Sequence, residues 1–151
     1  MADSIRSGIF FLLGHADVAS AAGVALDKWR RHHLLDFVGE QAIGPSNSGR
    51  LPYVVVQSAD ETYQHETAAP RGGTRRAIVN LTFCVSGFGS RIAEAHARLA
   101  AIVDAACSVI REDDAYVIGD ETRFPAERRP YGWSQAVTVV VETSFGPDYD
   151  C

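Results

Sequence analysis

The chain reads as an α+β fold: a mostly antiparallel sheet with a β-hairpin arm, packed on one face by a long helix and by N-terminal helices. Three observations predict it. The stretch RRAIVNLTFCVSGFG alternates with period two, with Ala77, Val79, Leu81, Phe83 and Val85 on one face and Ile78, Asn80, Thr82, Cys84 and Ser86 on the other. The stretch SRIAEAHARLAAIVDAACSVI, residues 90–110, switches to the helical period, with Ile92, Ala95, Leu99, Val103, Ala106 and Ile110 on one stripe. Helices precede a strand and a hairpin, and two strands follow the long helix; this order differs from the regular β-α alternation of a parallel sheet.

Taken in order, residues 1–35 predict N-terminal helices. Ile5, Ile9, Leu12 and Leu13 are helically spaced, and Val18, Ala22, Ala25, Leu26 and Trp29 form a second stripe. The pattern reads as two helices broken near Gly14 or as one bent helix; Asp17 is the expected N-cap of the second, and Arg30, Arg31, His32 and His33 are expected at the negative helix end. Residues 36–50, DFVGEQAIGPSNSG and its flank, lack periodicity and read as a connecting loop. Pro52 lacks an N–H, which suits the start of a strand and not its middle, so a strand begins at Tyr53. Tyr53, Val54, Val55 and Val56 hardly alternate, which predicts burial on both faces or a buried partner on the far side.

After this opening strand, ADETYQHET is expected to pair antiparallel with RRAIVNLTFCV, turning at a tip over Ala68 to Thr74 that holds Pro70, Gly72 and Gly73. Strands and hairpin thus occupy 51–87, and the long helix 90–110 has Ser90 as N-cap and Glu94 in its first turn. Two strands close the domain within 115–145, at 115–124 and at 134–145, the latter with Val137, Val139, Val141 and Phe145 on one face. Residues 146–151 read as a disordered tail, and the whole chain as one domain.

Composition narrows the function classes. A hydrophobic fraction of 46% with 22% charged residues is that of an ordinary globular domain, and no apolar run approaches the ~20 residues that span a bilayer. The N-terminal apolar patch IFFLL is too short for a secretion signal, and Asp3 sits where basic residues belong, so no signal peptide is expected. Cys84, Cys107 and Cys151 have neither even count nor CxxC spacing, which predicts reduced thiols without disulfides or zinc. A net charge of −5 argues against gripping nucleic-acid phosphates as the main task.

The residues that could carry chemistry do not form a recognisable set. SGFGSR at 86–91 lies where a phosphate loop would sit, but lacks the third glycine and the lysine, and reads as a tight strand-to-helix turn. Glu112, Asp113, Asp114, Asp120 and Glu121 lack the calcium-loop spacing and read as a solvated turn. His32 and His33 are adjacent and diverge, Cys84 lies mid-strand without a neighbouring base, and no GxSxG is present. A small enzyme or ligand-binding domain would require His65, His96, Asp113 and Asp114 to converge in one pocket. Without such a set, the weight shifts to a structural or binding role, with no cofactor and no metal.

The succession of an N-terminal helix, a variable loop, LPYVVVQ, a polar hairpin, RRAIVNLTFCVSGFGS running directly into RIAEAHARLAAIVDAA, and a closing WSQAVTVVVETSF resembles the tail terminator, or tail-completion, family of long-tailed bacteriophages and related gene transfer agents. The resemblance covers residues 5–145 and rests on element order and hydrophobic positions, not on an invariant motif. The segment before Pro52 is longer here, and RFPAERRPYGW adds a turn before the last strand. The resemblance implies a non-enzymatic virion protein, assembled in the bacterial host cytoplasm, that forms a homohexameric ring at the head-proximal end of the tail. Its partners would be further copies of itself, the tail tube protein and the head-tail connector or neck protein, while double-stranded DNA passes through the lumen without specific binding. No membrane partner is implied. Another neck or connector protein is the neighbouring alternative. A ring needs two different complementary patches per subunit. The sheet surface left uncovered by the subunit's own helices is the expected contact with a neighbour. Arg71, Arg75 and Arg76 near the hairpin tip, with Arg123, Arg128 and Arg129 in the late loop, are the candidate contacts to acidic partner surfaces, because guanidinium pairs bidentately with carboxylates.

Overall fold

A computed structural model describes residues 5–33, 52–65, 73–86, 92–129 and 132–145. Among them are helices α1 (Ile5–Leu12), α2 (Ala16–Ala21) and α3 (Ile92–Glu112), and strands β1 (Arg30–His33), β2 (Tyr53–His65), β3 (Gly73–Val85), β4 (Val117–Arg123), β5 (Glu127–Arg129) and β6 (Gly132–Phe145). The strands form one mostly antiparallel sheet in the order β1-β2-β3-β6-β4, with β5 also on β6. The fold is the expected α+β class, with α3 and the N-terminal helices on one face of the sheet.

That inner face follows from the period-two pattern. Val79 lies opposite Val139, Leu81 opposite Val137 and Ala77 opposite Val141 across β3 and β6, while Val54 and Val56 of β2 face Phe83 and Leu81. All of these are buried and join one core with Ile5, Ile9 and Leu13 of the α1 region, Val18 of α2, and Ala95, Leu99, Ile102, Val103, Ala106 and Ile110 of α3. At roughly 25 cal/mol per Å² of apolar area, such burial is the main stabilising contribution. Of the predicted stripe of the long helix, Ala95, Leu99, Val103, Ala106 and Ile110 are buried, the Ile92 side chain lying outside the described residues, and Glu94 lies in the first turn.

Tyr53 does open a strand and Tyr53 to Val56 are all buried, as their unbroken apolar run requires. The opening strand and the first hairpin arm, however, are one continuous 13-residue strand. A β-bulge between Ser58 and Asp60 absorbs the change of phase: Ser58 pairs with Val79, but Asp60 pairs with Ile78. The change from apolar to polar composition after Gln57 reads as the end of the opening strand, whereas the unbroken edge of β3 supplies backbone partners that keep the chain extended through the bulge. Gly73 and Thr74 likewise belong to β3, opposite His65 and Gln64; the rest of the expected tip lies outside the described residues. Ser90 as N-cap, the 36–50 loop, the glycine turn at 87–91 and the tail also lie outside them.

The N-terminal region departs further from expectation. α1 and α2 are separate helices with the break at Gly14, but α2 ends at Ala21, and Leu26–Lys28 form a single 3₁₀ turn. Gly23 has φ +79, in the left-handed region that favours glycine and terminates helices. The stripe through Ala25 and Leu26 is therefore no helix face, and both residues are exposed. His15, not Asp17, caps α2: its Nδ1 accepts from the Asp17 N–H at 3.0 Å. Arg30 to His33 form β1, parallel to Tyr53 to Val56, in place of a helix end.

Three side chains hold this arrangement. The buried Trp29 indole donates to the Leu13 carbonyl at 2.8 Å. Arg31 donates to the Phe10 carbonyl at 2.8 Å, where α1 presents unsatisfied acceptors, and its guanidinium lies 4.9 Å from the Phe10 ring centre. Arg98 of α3 does the same for α2, donating to the Ala22 carbonyl at 2.7 Å. The chain end of one helix is thus tied to a strand, and that of the next to α3.

Gly132 begins β6 where a Cβ would clash with the backbone carbonyl oxygen of Val85. Gly132→Ala forces the two central strands apart at this end, with an expected loss of about 2 kcal/mol. A lowered urea midpoint with an unchanged slope would show it; an unchanged midpoint would contradict the close approach.

Candidate interaction surface

The described helices all occupy the inner face, so the outer face lacks a helical layer among the described residues. Its rows run across β2, β3 and β6: Tyr53, Cys84 and Ser134; Val55, Thr82 and Ala136; Gln57, Asn80 and Thr138; then Ile78 with Val140 and Arg76 with Glu142. The first row is buried, and the His32 ring stands edge-on to Tyr53 at 5.4 Å. Farther along, Asn80, Thr82, Ile78 and Val140 are half-buried, and Ala136, Arg76 and Glu142 are exposed. Thr138 Oγ1 and Asn80 Oδ1 are hydrogen-bonded at 2.8 Å, which ties the two central strands on this face. Near the β5 end, Thr82, Phe124, Pro125, Glu127, Ser134 and Ala136 line an open depression of about 370 Å³.

The six candidate arginines do not form one group. Arg76 and Arg128 are exposed, and the Arg76 Nε lies 4.0 Å from Glu142 on the neighbouring strand. Arg75 points to the inner face and is buried, because it shares the phase of Ala77 and Val79. Arg123 is engaged within the chain: it meets Asp104 at 2.6 Å and Glu121 at 2.7 Å. Arg129 is placed by its backbone on β5, opposite Gly132, and Arg71 lies outside the described residues. Among those whose side chains are described, Arg76 and Arg128 are exposed, whereas Arg75, expected at the surface, is buried, and Arg123 is paired within the chain.

Arg123 belongs to a cluster that sequence reasoning missed. Ile118 of β4 faces Val141, and a strict period of two would place Asp120 beside it on the inner face. A bulge between Ile118 and Asp120 shifts the phase, so that Glu121 lies opposite Val139 and Arg123 opposite Val137. Both then reach α3. Arg111 donates to Glu121 at 2.6 Å, Arg123 bridges Glu121 and Asp104, and the buried Cys107 thiol donates to the Glu121 carboxylate. Burial, then the bond to Glu121, pushes the Cys107 thiol up to about 12, so it stays protonated and unreactive. Burial opposes the Glu121 charge, but the bonds from Arg123 and Cys107 and the nearby guanidinium charges outweigh it and hold the carboxyl below its usual range. The cluster fastens the edge strand to the long helix; its chemistry is that of a clamp.

The residues required for a catalytic pocket are dispersed. His96 packs edge-on against Trp133 at 4.5 Å, and Trp133 pairs with Val85 at one end of β3. The backbone of His65 pairs with Gly73 at the other end, and 13 residues of strand span about 40 Å. Asp113 closes the turn after α3, its Oδ1 accepting from the Ala115 N–H at 2.9 Å. Helix α3, 21 residues and about 30 Å long, separates that turn from the His96 end. His65, His96, Asp113 and Asp114 thus do not converge. Among the described residues no three His, Cys, Asp or Glu side chains are grouped as metal ligands.

The clamp has a pH signature. The lowered Glu121 pKa contributes stability above about pH 4–5 that is lost as pH falls through its folded value. The raised Cys107 pKa acts at the other end: the unfolded thiol ionises first, so stability falls from about pH 9 to about pH 12. Melting curves are expected to show a shallower acid decline for Glu121→Gln and a shallower alkaline decline for Cys107→Ala than for the parent. At neutral pH Glu121→Gln costs about 1–3 kcal/mol, since two arginines lose a charged partner, and accelerates amide exchange in Val117–Arg123. Parallel pH profiles of variant and parent would show that the cluster is not coupled to folding.

Compared with known proteins, the chain matches no protein-family model and no curated protein.

Proposed function

We propose that the chain is a structural, non-catalytic virion protein of the tail terminator kind. It forms a hexameric ring at the head-proximal end of a tail tube, ends tube polymerisation and offers a docking surface to the head connector or neck protein. The observation that carries this reading is the one-sided fold. The described helices cover the inner face, while the outer face presents half-buried Ile78 and Val140 beside exposed Arg76 and Glu142. Half-buried aliphatic residues beside exposed charges give this face a composition different from that of the sheet edges, and a ring subunit needs two different contact surfaces. The element order that resembles tail terminators supports the same role.

The remaining properties are consistent with this role. A net charge of −5 suits a channel through which DNA slides, because like charge disfavours sticking. No helix among the described residues is long and apolar enough to cross a membrane. The working location is the head-proximal end of the tail, after assembly in the host cytoplasm.

Negative-stain images of the purified chain, alone and with tail tubes of its own particle, test the reading alongside light-scattering mass. Rings capping one tube end, or free hexamers, are expected. A chain that stays monomeric and leaves tube ends bare would overturn it. Arg128→Glu, at an exposed site, is expected to reduce the fraction of capped tubes without altering the melting temperature.

A further inference from the structure

The large hydrophobic residues that the described chain exposes are Phe11, Leu26, Val117 and Phe124, at 79%, 49%, 63% and 46%. They are not scattered. Leu26 lies in the 3₁₀ turn leading into β1, and the Phe11 carbonyl accepts from Arg31 of β1 at 3.3 Å. Val117 begins β4, and Phe124 follows its last residue. Two therefore flank one terminal strand of the sheet path and two flank the other.

The same two edges carry opposite charge. Around β1 stand exposed Lys28 and Arg30, which outnumber the exposed Asp27, while the edge at β4 has exposed Asp120 and follows exposed Glu112 and Asp114, the exposed Arg111 there being paired with Glu121. On the β4 side, Arg123 is already neutralised by Asp104 and Glu121. Among the described strands, β1 pairs with β2 alone and β4 with β6 alone, so each has an outward ladder of backbone groups. Strand sense is fixed as well. β1 is parallel to β2, and β2-β3, β3-β6 and β6-β4 are each antiparallel, so β4 runs opposite to β1. A second copy placed in the same orientation presents its β1 antiparallel to β4.

We propose that copies of this chain join head to tail, the β1 edge of one pairing antiparallel with the β4 edge of the next. Phe11 and Leu26 pack near Val117 and Phe124, and Arg30 meets the acidic side at Asp120. This deepens the ring-forming reading and rests on it; the joint is heterologous, as closure into a ring requires. The charge pattern and the β4 bulge, both usual guards of an edge strand, restrict pairing to the complementary edge.

Charge reversal tests the joint. Arg30→Glu and Asp120→Lys are each expected to lower the light-scattering mass to that of a monomer at concentrations where the parent assembles. An equimolar mixture of the two is expected to recover assemblies. In an alternating array the reversed β1 edge of one variant meets the reversed β4 edge of the other, and at the next joint the unchanged Arg30 meets the unchanged Asp120, so every joint pairs opposite charges. Circular dichroism monitors folding, and Phe11→Glu, at the most exposed of the four apolar sites, provides a second disruption that leaves the strands untouched. Slowed, concentration-dependent amide exchange in β1 and β4 of the parent, with α3 unchanged, would support edge pairing. Reversed variants that still form parent-sized rings would overturn the joint while leaving the ring reading intact. A parent that stays monomeric even with tail tubes would overturn both.

Discussion

The antiparallel ladder between β3 and β6 is the constraint on which the rest of the molecule depends. Every residue of β3 has a partner on β6, from Gly73 opposite Phe145 to Val85 opposite Trp133. The ladder sets which side chains share a face, and the inner row of Ala77, Val79 and Leu81 against Val141, Val139 and Val137 forms the floor on which α3 lies. A slip of β6 by one residue against β3 would turn Thr138 toward the core and Val139 outward. The Asn80–Thr138 bond on the outer face and the close approach of Gly132 to Val85 both oppose such a slip.

From this centre the sheet grows outward with different means on its two sides. On the β2 side, hydrophobic burial suffices, since Val54 and Val56 enter the same core as α1. β4, by contrast, is largely exposed and contributes little apolar area. It is held by an ionic and hydrogen-bonded cluster to α3, in which Glu121 receives Arg111, Arg123 and the Cys107 thiol. A charged cluster of this kind stabilises only when its members satisfy one another, and here the carboxylate and the guanidiniums do so at the margin of the core. The strand is thereby fixed to the body of the protein, and among the described strands it pairs with β6 alone.

A two-layer fold of this kind has unequal sides. Helices fill the inner face, whereas the outer face and the sheet edges carry none of the described helices. Polar and aliphatic residues mix on the outer face, and the exposed aromatic and aliphatic residues gather at the two edges. Surfaces of different composition on one subunit are what directional assembly requires, in contrast to the self-complementary patch of a two-fold dimer.

The sequence by itself determined the two long elements and the class of fold. Period-two alternation in β3 and β6, the 3.6-residue stripe of α3 and the proline before Tyr53 are local signals strong enough to survive any tertiary setting. Of the candidate surface residues, the exposure of Arg76 and the burial of Arg75 follow from the phase of β3, since Arg75 falls in step with Ala77. Only the tertiary structure decided where that phase changes. Bulges in β2 and β4 arise from pairing with a neighbouring strand, and the second turns Glu121 and Arg123 toward α3, where a strict alternation would have placed Asp120. Arg30 to His33 carry no strong strand signal; they extend because the edge of β2 offers backbone partners and Trp29 and Arg31 anchor them to the α1 region. Periodicity reports which face a residue shares with its near neighbours, but edge pairing and long-range ion pairs depend on segments that meet only once the chain has folded.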